Sequence, residues 1–453
     1  MEAAEELAGS QAGIRAGILR CDCYEYPVVE GIPVLRQLSP VSSTQNGAVE
    51  RLHQGDVEGA LLWLLAMGSA PGVPAPADPP NGFQNAVSFA QRLRGLVEMK
   101  RAKPGIKSIL RLEDFEALLG AIRPGGYSDY LLHRFANPSF LGAIPPAVVI
   151  GDACRTRSRR RLLDLMCGAG HMSATLGALC PGVEIVMADV DYVNLYVAHR
   201  FLHPDGAALC VDIELPLPMM NGSIDAVSCL DGLHYVRSKV AFLNEVDRIV
   251  GPEGAWVFAH MHNAKSVNPN PGAPLDAQGY AQRFAFGQQR LLPESEILRQ
   301  FQLDGSLDLS HQVDSHVLES SNAFTLVGAR NDALWKQHPA LDTAFCRRPD
   351  LLQINPLYRL ERATDGLTAN ASWPSDDLKR ECMGATPLLH ESLQIHSGTL
   401  DEIASARSGG LLSDGVRELI RSFALVPLPT CYRRGLLADA SSRVVGRHSH
   451  SEQ

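Results

Sequence analysis

Apolar residues recur along the chain in two rhythms. Val49, Leu52, Leu61, Leu64 and Leu65 fall at near-helical spacing and predict one helix over 48–67. Helical patterns follow over 83–100, 112–122 and 128–135. From Arg161 the rhythm changes to short, near-continuous apolar runs that alternate with helical ones. The expected strands are 162–166, 184–188, 207–211, 224–230 and 255–260, with helices over 172–179, 192–201 and 239–250. Helices around 275–286 and 293–301, then strands near 307–310 and 323–327, finish the sheet. Strands that are apolar on both faces and alternate with helices specify a parallel sheet covered on both sides. The expected fold class is therefore α/β: a doubly wound, mostly parallel seven-stranded sheet with an N-terminal helical region and a C-terminal accessory region. Ligands should sit outside the carboxyl ends of the strands.

Composition shifts divide the chain further. SAPGVPAPADPPNG (69–82) holds five prolines and is expected to be an extended linker. RTRSRRR (155–161) reads as a solvated turn that leads into the first strand. The expected segments are 1–68, the linker 69–82, a helical cap region 83–160, the sheet domain 161–330, an accessory region 331–436 of unassigned fold, and a disordered tail 437–453. Within the accessory region, Val416, Leu419, Ile420 and Phe423 predict an amphipathic helix.

At 453 residues the chain exceeds the size at which one core stops growing, which agrees with a full domain plus additional material. The balance of 41 basic against 50 acidic residues, net charge −9, argues against a nucleic-acid partner and favours a small or neutral substrate. The start MEAAEELAGS lacks the basic and apolar regions of a secretory signal, and the apolar stretch 60–67 is too short to span a bilayer. Cys167, Cys180, Cys210 and Cys229 lie inside expected elements or directly at their ends, as buried cysteines of a reducing compartment do. A cytoplasmic protein without a membrane partner is expected.

The candidate chemistry begins at LLDLMCGAGHM (162–172). No Lys-Ser or Lys-Thr follows the glycines, which excludes a P-loop, and Ser173 stands where a dinucleotide fingerprint has its third glycine. Asp164 would repel a pyrophosphate but stabilise an ammonium group. S-adenosylmethionine fits these constraints: an acid near the first strand for its amino group, backbone N–H groups at a helix N-terminus for its carboxylate, and glycines for close approach. Asp189, or Asp191 beside it, would accept from the ribose hydroxyls, and Asp212 with Ile213 would meet the adenine.

LLDLMCGAG, ADVD, DIELPLPMMNGSIDAV, LDGLHYV and FLNEVDRIVGPEGAWVF, in order over 162–260, resemble the class I S-adenosylmethionine-dependent methyltransferases, in particular their type 11 group. The resemblance implies a Rossmann-like methyltransferase domain over 161–330. It implies a cofactor site formed by Asp164, Met166, Gly168, Gly170, Asp189, Val190, Asp212, Ile213 and Leu230. Met166 stands where the family usually has a glycine and should narrow the pocket.

Methyl transfer from a sulfonium requires alignment and, for a hydroxyl acceptor, a base. The candidates are His260 and His262 in HMHN, at the expected carboxyl edge, and His234 in LHYV. The HxH pair also points one way in an extended chain, where Asp231 or Asn263 would complete a metal set; two histidines do not define one, and no metal is expected.

The stretch ILRCDCYEYPVVEGIPVLR (18–36) resembles the second half of the zinc-ribbon family that activates tRNA methyltransferases. With only Cys21 and Cys23 present, a metal-free strand pair packed on a neighbour is expected. The resulting functional expectation is O-methylation of a small molecule or glycan, in secondary metabolism, with a homodimer as the assembly to look for. N- or C-methylation and a non-catalytic, protein-binding subunit are the alternatives.

Overall fold

A computed structural model describes residues 2–10, 13–22, 24–35, 43–68, 112–122, 126–267, 272–283, 287–381 and 389–432. The linker 69–82, the helical pattern 83–100, Cys23 and the tail 437–453 lie outside the described residues. The chain divides into two compact units: Met1–Ser128 with Gly168–Gly170 and Ala188–Asp212, and Asp129–Cys167 with His171–Met187 and Ile213–Gln453.

In the first unit, strands β1 (Glu2–Ser10), β2 (Gly13–Arg20), β3 (Glu25–Val29) and β4 (Ile32–Pro33) form an antiparallel sheet in sequence order. Helices α1 (Ser43–His53) and α2 (Val57–Gly68) replace the single helix expected over 48–67. The break has a local cause: Gly55 adopts φ 74° after α1, and Asp56 Oδ1 accepts the Gly59 N–H at 2.8 Å, which starts α2. Helix α3 (Phe115–Ile122) begins where Asp114 accepts the Ala117 N–H at 2.7 Å.

In the second unit, α4 (Pro138–Arg155) was not foreseen, because its sequence is apolar all round and carries Pro145-Pro146 in mid-course. Asn137 caps it by accepting the Ser139 N–H at 2.8 Å, Pro138 occupies the first turn, and every residue from Pro138 to Gly151 is buried. Burial on all faces of this helix outweighs the backbone bonds that the prolines remove.

The central strands are β5 (Arg161–Leu165), β6 (Glu184–Asp189), β7 (Ala207–Cys210), β8 (Ile224–Leu230), β9 (Val250–His262), β10 (Gln288–Pro293) and β11 (Ala323–Ala329). Their order is β10-β11-β9-β8-β5-β6-β7, a mixed, mostly parallel, Rossmann-like sheet. Strand β8 pairs parallel to both β5 and β9, whereas β11 runs antiparallel to β9 and to β10. Helices α5 (His171–Leu179), α6 (Tyr192–Val197), α7 (Lys239–Ile249) and α8 (Glu294–Asp304) alternate with these strands. One expected strand is corrected: 307–308 pairs with 337–338 in a separate two-stranded sheet, and the seventh strand is 288–293. QQRLLP is too short for its periodicity to separate a strand from a helix start, so β10 carried no sequence signal of its own.

Residues beyond 331 add β12 (Leu352–Ile354) paired with β16 (Leu425–Pro427), the three-stranded sheet β13 (Tyr358–Arg362), β14 (Leu367–Ala371) and β15 (Ser392–Ile395), and helices α9 (Ser397–Arg407) and α10 (Asp414–Arg421). Val416, Leu419 and Ile420 of α10 are buried as the pattern predicted, while Phe423 follows the helix with φ 56°. No helix among the described residues is long and apolar enough to cross a membrane.

Strands β9 and β11 are antiparallel neighbours in the sheet, and Trp256 of β9 is fully buried. A Cβ on Gly328, the residue paired with it, would lie 2.1 Å from the indole nitrogen. Gly328→Ala is therefore expected to lower stability by about 1–3 kcal/mol through overpacking. Urea denaturation reads this as a lower midpoint with an unchanged slope.

Candidate functional site

The glycine loop leaves β5 in a strained conformation. Met166 adopts φ 54°, Gly168 φ 54° and Gly170 φ 83°. Glycine takes this region freely, but Met166 does so at a cost of about 1–2 kcal/mol. Among the described residues nothing lies within 4 Å of where a Cβ on Gly168 would sit, so the backbone there faces open space. The Met166 side chain turns toward Gly232, where its sulfur lies 2.7 Å from the position a Cβ would take.

Asp164 is enclosed rather than placed on a rim. It is 1% exposed, with Ser173 Oγ donating to Oδ2 and Ser228 Oγ donating to Oδ1, each at 2.6 Å. It thus ties the first turn of α5 to β8. Burial pushes its pKa up to about 6, although both serines oppose the shift.

At the end of β6, Asp189 Oδ2 accepts the Gly168 N–H and Oδ1 accepts the Asp191 N–H, both at 2.8 Å. Burial raises its pKa to about 6 as well, against those backbone bonds. Asp191, the competing candidate, is the N-cap of α6: its Oδ1 accepts the Val193 N–H at 2.9 Å. Of the remaining cofactor candidates, Ile213 is buried, Asp212 and Leu230 are half-buried and Val190 is exposed.

The three histidines converge. His234 lies in a short turn after β8, while His260 and His262 lie on β9. Asp231, which directly follows β8, stands at their centre. Its Oδ1 is 3.8 Å from His234 Nε2 and 3.9 Å from the Nε2 atoms of His260 and His262. The other oxygen, Oδ2, accepts from the Tyr130 hydroxyl at 2.8 Å and pairs with Arg134 at 3.2 Å. Asp231 and His260 both have left-handed backbones, φ 58° and φ 52°. At His260 the irregularity coincides with a register shift between β9 and β11.

The electrostatics separate the histidines. Burial lowers the His234 pKa to about 3, against the pull of Asp231, so the ring is neutral. Its plane stacks on His262 at 3.7 Å between ring centres and 13° between planes. Burial alone would lower His260 too, but Glu294, whose Oε2 is 2.5 Å from Nδ1, and then Asp231 outweigh it and hold the pKa at about 9. Nδ1 of His260 is therefore committed to Glu294 and does not act as a proton acceptor. Burial opposes ionisation of Asp231, yet Arg134 and the imidazoles keep it below the ordinary carboxylate value. Asn263, the alternative to Asp231, instead donates to the Ser321 carbonyl at 2.7 Å and accepts the Lys265 N–H at 3.0 Å.

Sequence reasoning named the histidines and Asp231 but missed Tyr130, Arg134 and Glu294. Glu294 reads from the sequence as an ordinary acid in the first turn of α8. Its burial was the one signal, and only the fold displays it.

Residues 163–258 match the family model described as "Methyltransferase domain", so this segment carries a methyltransferase domain. The demethylmenaquinone methyltransferase of Beutenbergia cavernae is 34% identical over 126 residues, covering 28% of this chain and 48% of the relative. That of Thermus thermophilus is 30% identical, over 31% of this chain and 60% of the relative. The ubiquinone biosynthesis O-methyltransferase of Idiomarina loihiensis is 26% identical, over 31% and 58%. The chain thus spans about half to three fifths of the length of the curated relatives it matches.

Asp164 supplies a pH test. Its folded value of about 6 lies above the ordinary 3.8, so its contribution to stability is complete below the lower value and is lost as the pH rises through the higher one. Asp164→Asn cannot ionise. Denaturation of the cofactor-free protein at about pH 4 and about pH 7 is expected to give a smaller stability drop for the variant than for the wild type. An equal drop would show that Asp164 is not the group responsible.

Proposed function

We propose that this protein transfers a methyl group from S-adenosylmethionine to an oxygen of a small-molecule acceptor. The observation that carries the proposal is the matched methyltransferase domain over 163–258, combined with open space at Gly168 and a buried acid, Asp189, bonded to that glycine's backbone. When bound, S-adenosylmethionine supplies an electrophilic methyl on a sulfonium.

The chain's own residues do the rest. Gly168 and Gly170 let backbone N–H groups at the start of α5 approach a carboxylate. Asp189 retains lone pairs for ribose hydroxyls, and Asp191, occupied as a helix cap, does not compete with it. Asp212 and Ile213 take the adenine, with Val190, Leu230 and the Met166 backbone as further contacts. Asp164 acts as a positioning residue that fixes the loop between Ser173 and Ser228 and adds negative charge beneath the ammonium group. Of the three candidate histidines, His262 is the group that would receive the acceptor's proton, because Glu294 and Asp231 keep His260 protonated and burial makes His234 a weak base.

Relatives named for demethylmenaquinone methylation and ubiquinone biosynthesis support an oxygen-bearing ring as acceptor. A glycan hydroxyl is the second acceptor class to assay, and the cytoplasm is the proposed location. The N-terminal sheet, whose Cys21 to Arg36 pattern resembles activator zinc ribbons, is proposed to act as built-in support for β7: the Leu35 N–H donates to the Cys210 carbonyl at 2.8 Å, and the Tyr192 hydroxyl donates to the Val29 carbonyl at 3.0 Å.

Calorimetric titration with S-adenosylmethionine tests the reading. One site is expected. Asp189→Ala should weaken it about 10- to 100-fold, the loss of hydrogen bonds to a charged group worth about 1.5–3 kcal/mol. Asp191→Ala should instead cost about 1 kcal/mol of stability and change affinity far less. Absence of any binding by the wild type would favour a non-catalytic subunit.

A further inference from the structure

Three imidazoles aim at one carboxylate oxygen from just outside hydrogen-bonding reach. The 3.8, 3.9 and 3.9 Å separations from Asp231 Oδ1 are too long for N–H···O bonds, which end near 3.2 Å. Ligand atoms of Asp231, His260 and His262 all lie within 4.8 Å of one another. We propose that Asp231, His260 and His262 bind a divalent transition-metal ion. This replaces the expectation that HMHN is metal-free.

Four further observations support the site. His234 is fully buried and neither of its ring nitrogens has a hydrogen-bond partner, a state that leaves polar atoms unsatisfied unless something occupies the gap. Its ring stacks on His262 at 3.7 Å and 13°, which fixes the plane of that ligand ring. The His260 Nδ1–Glu294 contact reproduces the carboxylate–histidine–metal relay that orients a ligand ring. Tyr130 and Arg134 engage Oδ2 of Asp231 and leave Oδ1 directed at the histidines.

The donor set selects the ion. Two imidazole nitrogens and one carboxylate favour Zn²⁺, Fe²⁺, Co²⁺ or Ni²⁺ over Mg²⁺ or Ca²⁺, which prefer oxygen ligands. Metal–ligand bonds of about 2.0–2.2 Å place tetrahedral donors about 3.4 Å apart, so the 3.9 Å separations from Asp231 to His260 and His262 would close by roughly half an ångström on loading. A bound ion would occupy the His262 nitrogen and replace it as the means of deprotonation, by making a coordinated acceptor hydroxyl more acidic. That consequence rests on the methyl-transfer reading, whereas the site itself does not.

The test uses the full chain, stripped with chelator and titrated with Co²⁺ while its visible spectrum is followed. One equivalent is expected to bind with ligand-field bands and without a thiolate charge-transfer band. Asp231→Asn and His262→Ala should abolish these bands, and Glu294→Gln should weaken binding about 10- to 100-fold. Zn²⁺ should raise the thermal midpoint of the wild type and not that of His262→Ala. Circular dichroism and S-adenosylmethionine affinity report whether each variant is folded, so loss of metal is separable from loss of the methyltransferase reading. Binding that survives in both ligand variants, that carries a thiolate band from cysteines, or that is absent in the wild type overturns the proposal.

Discussion

The histidine cluster of this protein depends on how one carboxylate is held. Asp231 is fixed on its Oδ2 side by Tyr130 and Arg134, about a hundred residues earlier in the chain, and presents Oδ1 to His234, His260 and His262. A buried charge with this many partners is stable only if each is rigid, since removing one leaves another unsatisfied. The rigidity comes from the sheet: β8 and β9 pair in parallel along Ala226 to Leu230, so the residues that leave them are tied to adjacent strands.

That pairing also explains where the backbone is strained. Met166, Asp231 and His260 are non-glycine residues with φ between 52° and 58°, one at or near the carboxyl end of each of β5, β8 and β9. Each costs about 1–3 kcal/mol and persists only where the surroundings over-determine it. Three such residues on neighbouring strands turn the chain sharply out of the sheet and aim side chains across its end, the location at which open α/β sheets bind ligands.

Much of this was legible in the sequence. The alternation from 161 to 260 fixed element type because the strands are short, apolar and punctuated by helices of clear period. The misses share a physical origin. Helix α4 is apolar on every face and carries two prolines, so neither periodicity nor propensity marks it; its stability is tertiary. Gln54, Gly55 and Asp56 end one helix and begin another within three residues, a turn that apolar spacing does not register. At the site, histidine and glycine stood out by residue type. Tyr130, Arg134 and Glu294 look like ordinary surface residues until folding half-buries the first and buries the other two, and a local pattern cannot encode convergence across the chain.

The short edge strand β7 carries a further implication. Its backbone groups would otherwise lie open along the border of the seven-stranded sheet, and such borders recruit strands from other molecules. The bridge from Val34 to Cys210 and the bond from Leu35 close part of that border with the chain's own beginning. Removing the first 35 residues would thus strip a guard against self-association.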